Sequence, residues 1–140
     1  MQNEEAGTSD QVPDRPWYRG EYMPRHLSEI QDELAYHIGK APSYRDPEEE
    51  FFGENIHTHF ARLIKAFGLV RDKVGEERYA RLVAMAEQAK ALFLEDPEET
   101  NGKTGQGIDL IWEIDTLLEE VRDERYAAGL PDVDGRVTGD

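Results

Sequence analysis

Four stretches of this chain repeat apolar residues every three or four positions, and none alternates apolar with polar residues in steps of two. An α-helix turns about 100° per residue, so the first pattern gathers apolar side chains into one stripe, whereas a half-buried strand needs the second. The chain therefore has to solve its burial problem with helices packed on helices. The first segment, 24 to 38, opens with Pro24 in a first-turn position, aligns Leu27, Ile30, Leu34 and Ile38, and should stop at Gly39. The second has the strongest start signal, "DPEEE": Asp46 can cap free amides, Pro47 suits a first turn, and Glu49 has capping-box spacing. Its stripe runs through Phe52, Ile56, Phe60, Leu63, Phe67, Val70 and Val74, which predicts one long helix bent at Gly68 and ending near Gly75. The third, 76 to 94, carries Tyr79, Leu82, Ala86, Ala89 and Phe93; its alanines permit a close helix contact. The fourth, 104 to 127, carries Leu110, Ile111, Ile114, Leu117, Leu118 and Val121. Short connections favour antiparallel neighbours, so the expected fold is all-α: a four-helix bundle-like single domain over 24–127. An extended N-terminal arm over 1–23 and a flexible C-terminal tail over 128–140 should flank it, both rich in Pro and Gly.

Charge narrows the partners. Against 16 Lys and Arg stand 31 Asp and Glu, a net −15 in 140 residues, and such a field repels nucleic acids and anionic lipid. Cysteine is absent, which excludes disulfides, thiolate metal sites and a cysteine nucleophile. The first residues are acidic and no stretch approaches the roughly 18 apolar residues of a membrane span, so the expected location is cytoplasmic, with neither membrane nor direct nucleic-acid binding.

Several apparent sites dissolve on inspection. Gly102-Lys103-Thr104 matches the end of a phosphate-binding Walker loop, but the position that needs the loop's first glycine is Pro97, the preceding segment is helical, and Glu95, Asp96, Glu98 and Glu99 would repel a triphosphate. The better expectation is that Asn101-Gly102 ends the third helix in a left-handed turn and Thr104 caps the fourth. A calcium loop starting at Asp96 fails because its sixth position is Asn101 and its twelfth Gly107. Glu29-x-x-Asp32 and Glu120-x-x-Asp123 have magnesium-site spacing without the upstream paired glutamates that a two-metal site uses. Ser9, Ser28 and Ser43 lie in no nucleophile elbow. Glu54 and His57 form the Glu-x-x-His pair of carboxylate-bridged di-iron bundles, yet with Ile56 at the stripe centre both should point outward, and no second copy exists. His37 faces the core near Glu33 and Leu34, and His59 sits at a core edge. A metal-binding bundle, protein or enzyme, using Glu54, His57, His37 and His59 is thus an alternative, not the leading reading, which holds no catalytic residue, metal or cofactor.

Two features remain. Residues 55–86 hold six cations, Arg62, Lys65, Arg71, Lys73, Arg78 and Arg81, against three anions, a net +3 that leaves −18 for the rest; pairing with the acidic helices is its expected use. In the fourth helix Ile108, Trp112 and Tyr126 fall well away from Ile114, so this helix has a second apolar face. Trp17, Tyr18 and Tyr22 in the arm add aromatic surface that could cover that face or join it in contacting a partner. Together these point to a non-enzymatic acidic protein–protein interaction module, an inhibitor, immunity or antitoxin-type neutraliser or adaptor. It would bind another protein, possibly basic, or associate with itself as a homo-oligomer; an acidic mimic of nucleic acid is a further alternative.

Overall fold

The computed structural model describes residues 23–46, 51 and 53–130. The arm with Trp17, Tyr18 and Tyr22, the residues 47–50 and 52, and the tail from 131 onward lie outside the described residues. Within them the chain is all-helical: α1 Leu27–Lys40, α2 Ile56–Leu69, α3 Arg71–Val74, α4 Glu76–Leu94 and α5 Lys103–Ala127. The four long helices form a closed ring in which α1 touches α2 and α5, and α4 touches α2 and α5 as well. The short α3 packs on α4 and α5 at one end.

The expected stripes face this ring's centre. Leu27, Ile30 and Leu34 of α1, Phe60, Leu63 and Phe67 of α2, Leu82 and Phe93 of α4, and Ile111, Ile114, Leu118 and Val121 of α5 are all buried. Each such side chain contributes about 1.5–3 kcal/mol relative to leaving it in water, which is what holds helices of modest intrinsic propensity together. The most extensive interface joins α4 to α5. Ala86 and Ala89 are wholly buried there, as the expected close contact requires. At its loop end the approach is closer still: a β-carbon on Gly107 would lie 2.5 Å from Cε1 of Phe93. Gly107 is therefore a packing glycine, its missing side chain filled by a ring from the neighbouring helix.

The ends of α1 and α2 depart from expectation in four places. Pro24 is buried but lies before α1, whose first residue is Leu27. Glu29 Oε1 accepts from the backbone N–H groups of Arg25 and His26 at 2.8 and 3.2 Å, so this carboxylate holds a helix start. Gly39 does not stop α1, which continues to Lys40 before Ala41 turns to extended geometry. The long helix expected from Asp46 is interrupted at 53–55, while its start signal at Pro47 and Glu49 lies outside the described residues. Gly53 takes a left-handed φ of 86°, Asp46 pairs with Lys40 Nζ at 3.0 Å, and α2 begins at Ile56. Its start is fixed by a reciprocal box in which Asn55 Oδ1 accepts from Thr58 N–H and Thr58 Oγ1 accepts from Asn55 N–H. Nor is Gly68 the bend. It lies inside α2, and the break falls at Val70, whose N–H reaches back to Phe67 O in a tightened last turn that drives Val70 and Val74 into the core.

Candidate interaction surface

Two polar constructions and one apolar recess stand out on this scaffold. The first lies between α1 and α2 and begins with a correction. Glu54 precedes α2, so the rotation that would carry it outward does not apply; its carboxylate folds inward and is 7% exposed. Oε1 of Glu54 accepts from Arg62 Nη1 at 3.3 Å and from Thr58 Oγ1 at 3.0 Å. Arg62, expected among the surface cations, is buried, and its Nε lies 3.7 Å from the buried Glu33. One guanidinium thus stands between two carboxylates.

Arg62 also dictates the state of His59. A guanidinium only donates, so the 2.7 Å contact between Arg62 Nη2 and His59 Nδ1 makes that nitrogen an acceptor and the ring neutral, with its proton on Nε2. That proton faces Tyr36 Oη at 3.4 Å and Glu54 Oε1 at 3.9 Å. Beside it, His37 shares a 2.7 Å hydrogen bond with Tyr44 Oη. Tyr44 holds a left-handed φ of 54°, unfavourable for a bulky side chain, and is kept there by its buried contacts with His37, Phe60 and Phe93. Burial raises the Tyr44 phenol far above its ordinary range, with Tyr36 and Glu33 adding to the effect. The structure brings Glu54, His59 and His37 near one another but leaves His57 exposed on the opposite side of α2. Among the described residues no group of three or more His, Asp or Glu side chains is arranged to hold a metal ion. Arg62 supplies the positive charge between the glutamates.

The second construction is the Gly-Lys-Thr turn, and here too the expectation is corrected. α4 ends at Leu94, well before Asn101-Gly102, and Gly102, with φ of 84°, sits at the start of α5 instead. Thr104 does not cap α5; it lies inside the first turn and is itself held by Asp96. The buried Asp96 carboxylate accepts from the backbone N–H groups of Thr100, Asn101 and Thr104 at 2.7, 3.2 and 3.0 Å. Burial alone would raise its pKa, but these amide donors outweigh it and hold the carboxyl below the usual aspartate value. Lys103, the would-be phosphate ligand, pairs with Glu95 at 2.7 Å. Within the positive segment, Arg78 grips Glu124 of α5 through two bonds of 2.9 and 2.7 Å, which lowers the pKa of that carboxyl, and Arg71 pairs with Glu76 of the segment itself.

The recess lies where α1 meets α5. Trp112 is 55% exposed and stands beside an open cavity of about 220 Å³ whose other walls are Gln31, Leu34, Ala35, Ile38 and Asp115. Ile108, one turn before Trp112, is half-buried and packs against the core, so it supports the face more than it presents it. Tyr126 is 62% exposed farther along the helix. At the edge of the recess Gln31 bridges the helices, donating to Asp115 at 3.1 Å and Glu119 at 3.0 Å while accepting from Arg122 at 2.9 Å.

The helical angles in the sequence located Trp112 and Tyr126. They did not identify the opposite wall: Leu34 and Ile38 belong by spacing to α1's core stripe, and Ala35 and Gln31 matter only once α1 lies beside α5. Arg62 was detectable in principle: it sits one turn from His59 and from Ala66, in a row that widens the buried face of α2. No protein-family model matches the chain, and neither the curated proteins nor the solved structures yield a match to it.

Proposed function

We propose that this chain is a non-enzymatic acidic interaction module that binds another protein across the α1–α5 recess, acting as an inhibitor, a neutraliser of the immunity or antitoxin type, or an adaptor. The observation that carries the reading is Trp112: in a core that buries every phenylalanine on α2 and α4, this ring stands more than half exposed beside apolar walls. Large exposed aromatics next to a concave apolar surface are the usual anchors of protein interfaces. The recess is smaller than the roughly 300–1,000 Å³ of typical small-molecule pockets, and suits one large side chain of a partner better than a free substrate. The buried Glu54, His59 and Asp96, by contrast, are engaged with Arg62 or with backbone amides, which suits support of the fold more than turnover.

The test is affinity capture from the source cell with the full chain and with Trp112→Ser. Expected is a protein retained by the first and lost with the second at an unchanged melting temperature. Equal capture by both would refute the surface assignment.

A further inference from the structure

We infer that the occupant of the α1–α5 recess is a cationic amphipathic helix, one that inserts a bulky apolar side chain beside Trp112 and places Lys or Arg against the carboxylates around it. The inference rests on the interaction reading and adds the chemistry of the partner.

Three observations lead to it. The first is the spacing along α5. Trp112, Asp115, Glu119, Arg122 and Tyr126 follow one another at alternating steps of three and four, the spacing with which one helix meets another along a seam. At about 1.5 Å per residue the two exposed aromatics of this row stand roughly 21 Å apart, a span that a partner helix of four turns would cover. The second is shape. On the α1 side the wall includes Ala35, exposed and small, which leaves room for a backbone to approach between two helices.

The third is charge. Asp109 and Asp115 flank Trp112 at three residues on either side, Glu119 follows on α5, and Asp32 is exposed on α1. Of the nearby cations, Arg122 donates to Gln31 and lies 3.9 Å from Glu119, and Lys40 pairs with Asp46, which leaves Asp115 without a cation of its own among the described residues. Asp115 and Glu119 each accept one amide bond from Gln31, and a carboxylate has capacity for more. An apolar recess rimmed by carboxylates selects against an acidic or neutral helix, and its indole face attracts a cation as well.

The test is a titration of the full chain carrying Trp17→Phe, so that fluorescence reports Trp112 alone. The probes are three synthetic 14-residue peptides: an amphipathic Leu/Lys helix, the same composition scrambled, and the Leu/Glu counterpart. Expected is a shift of Trp112 emission with the Leu/Lys helix, binding at least about tenfold tighter than either control and weakening as salt is raised. Ala35→Arg should abolish it, and Asp115→Asn with Glu119→Gln, which removes charge but little shape, should weaken it about tenfold, both variants keeping the parent melting temperature. Equal binding of the Leu/Glu peptide, or indifference to Ala35→Arg, would overturn the inference. So would light scattering that shows a dimer made monomeric by Ala35→Arg, since the occupant is then a second copy. Binding that appears only when Trp17→Ser and Tyr18→Ser are introduced would overturn it too, by assigning the recess to the N-terminal arm. If no peptide binds while Trp112-dependent capture of a protein persists, the interaction reading survives and the cationic assignment alone falls.

Discussion

The connection between α1 and α2 and the connection between α4 and α5 are both tied down by a buried carboxylate, and they use opposite means. Glu54 is held by side chains: Arg62, Thr58 and, behind them, His59. Asp96 is held by three backbone N–H groups that belong to its own loop and to the first turn of α5. Amide donors come with the chain and cost no rotamer entropy, whereas a buried guanidinium has to be stripped of water and repaid by well-placed partners. The first connection therefore depends on several residues being right at once. The second depends on one.

The largest effect should come from breaking the costlier arrangement. Arg62→Ala leaves Glu33 and Glu54 buried without their cation and should destabilise the fold by about 3–5 kcal/mol in chemical denaturation. Arg62→Met combined with Glu33→Gln and Glu54→Gln should recover most of that loss; if the triple variant is no better than the single one, the cluster is not governed by uncompensated charge. Asp96→Asn sharpens the contrast from the other side. It replaces an acceptor by a group that is partly a donor facing three N–H groups, with an expected cost of about 2–3 kcal/mol. Acid tests the second connection directly. Asp96 has its pKa lowered in the fold, so its contribution is complete above the ordinary aspartate range and is lost as pH falls through the lower folded value. Stability measured from neutral pH downward should fall less steeply for Asp96→Asn than for the parent in that acid window.

Gly107→Ala tests how the two regions communicate. Its added carbon must displace the Phe93 ring, which also contacts Tyr44 of the first connection at 6.1 Å between centroids. The expected cost is about 1–3 kcal/mol, with shifts in the Tyr44 and His37 resonances by NMR. Unmoved Tyr44 resonances would show that the loops are packed independently. The smallest effect belongs to Lys103→Ala, which removes an exposed pair with Glu95 and should change stability by less than about 0.5 kcal/mol, while ATP or GTP leaves the melting temperature in place.

What could be read from the chain follows the same division. The helices were legible because each must bury a stripe, and Leu27, Phe60, Leu82 and Ile114 announce theirs by spacing alone. Trp112 was legible because a second apolar face is also a matter of angle. The ends were harder. The helix expected to run unbroken to Gly75 is interrupted at 53–55, and α2 starts at Ile56, where Asn55 and Thr58 cap each other and Glu54 is drawn inward by a cation two turns away. Asp96 escaped notice as a cap because its donors follow it across a loop, a relation that spacing rules for helix starts do not contain. Glu54 faces inward for the same reason: the 100° turn per residue holds only within a helix, and Glu54 precedes α2.

The seam between α1 and α5 has one further consequence. It joins Gln31 to Asp115, 84 positions apart, whereas α4 and α5 are joined by a short loop and close on each other at small entropic cost. An opening fluctuation that releases α1 can leave the α4–α5 hairpin paired, but it erases the recess. A ligand seated there therefore binds only the fully closed molecule, and at 100 times its dissociation constant it suppresses such openings by about 2.7 kcal/mol. Occupancy is accordingly recorded in how slowly the amide protons of α1 exchange with solvent, far from the tryptophan that a partner would touch.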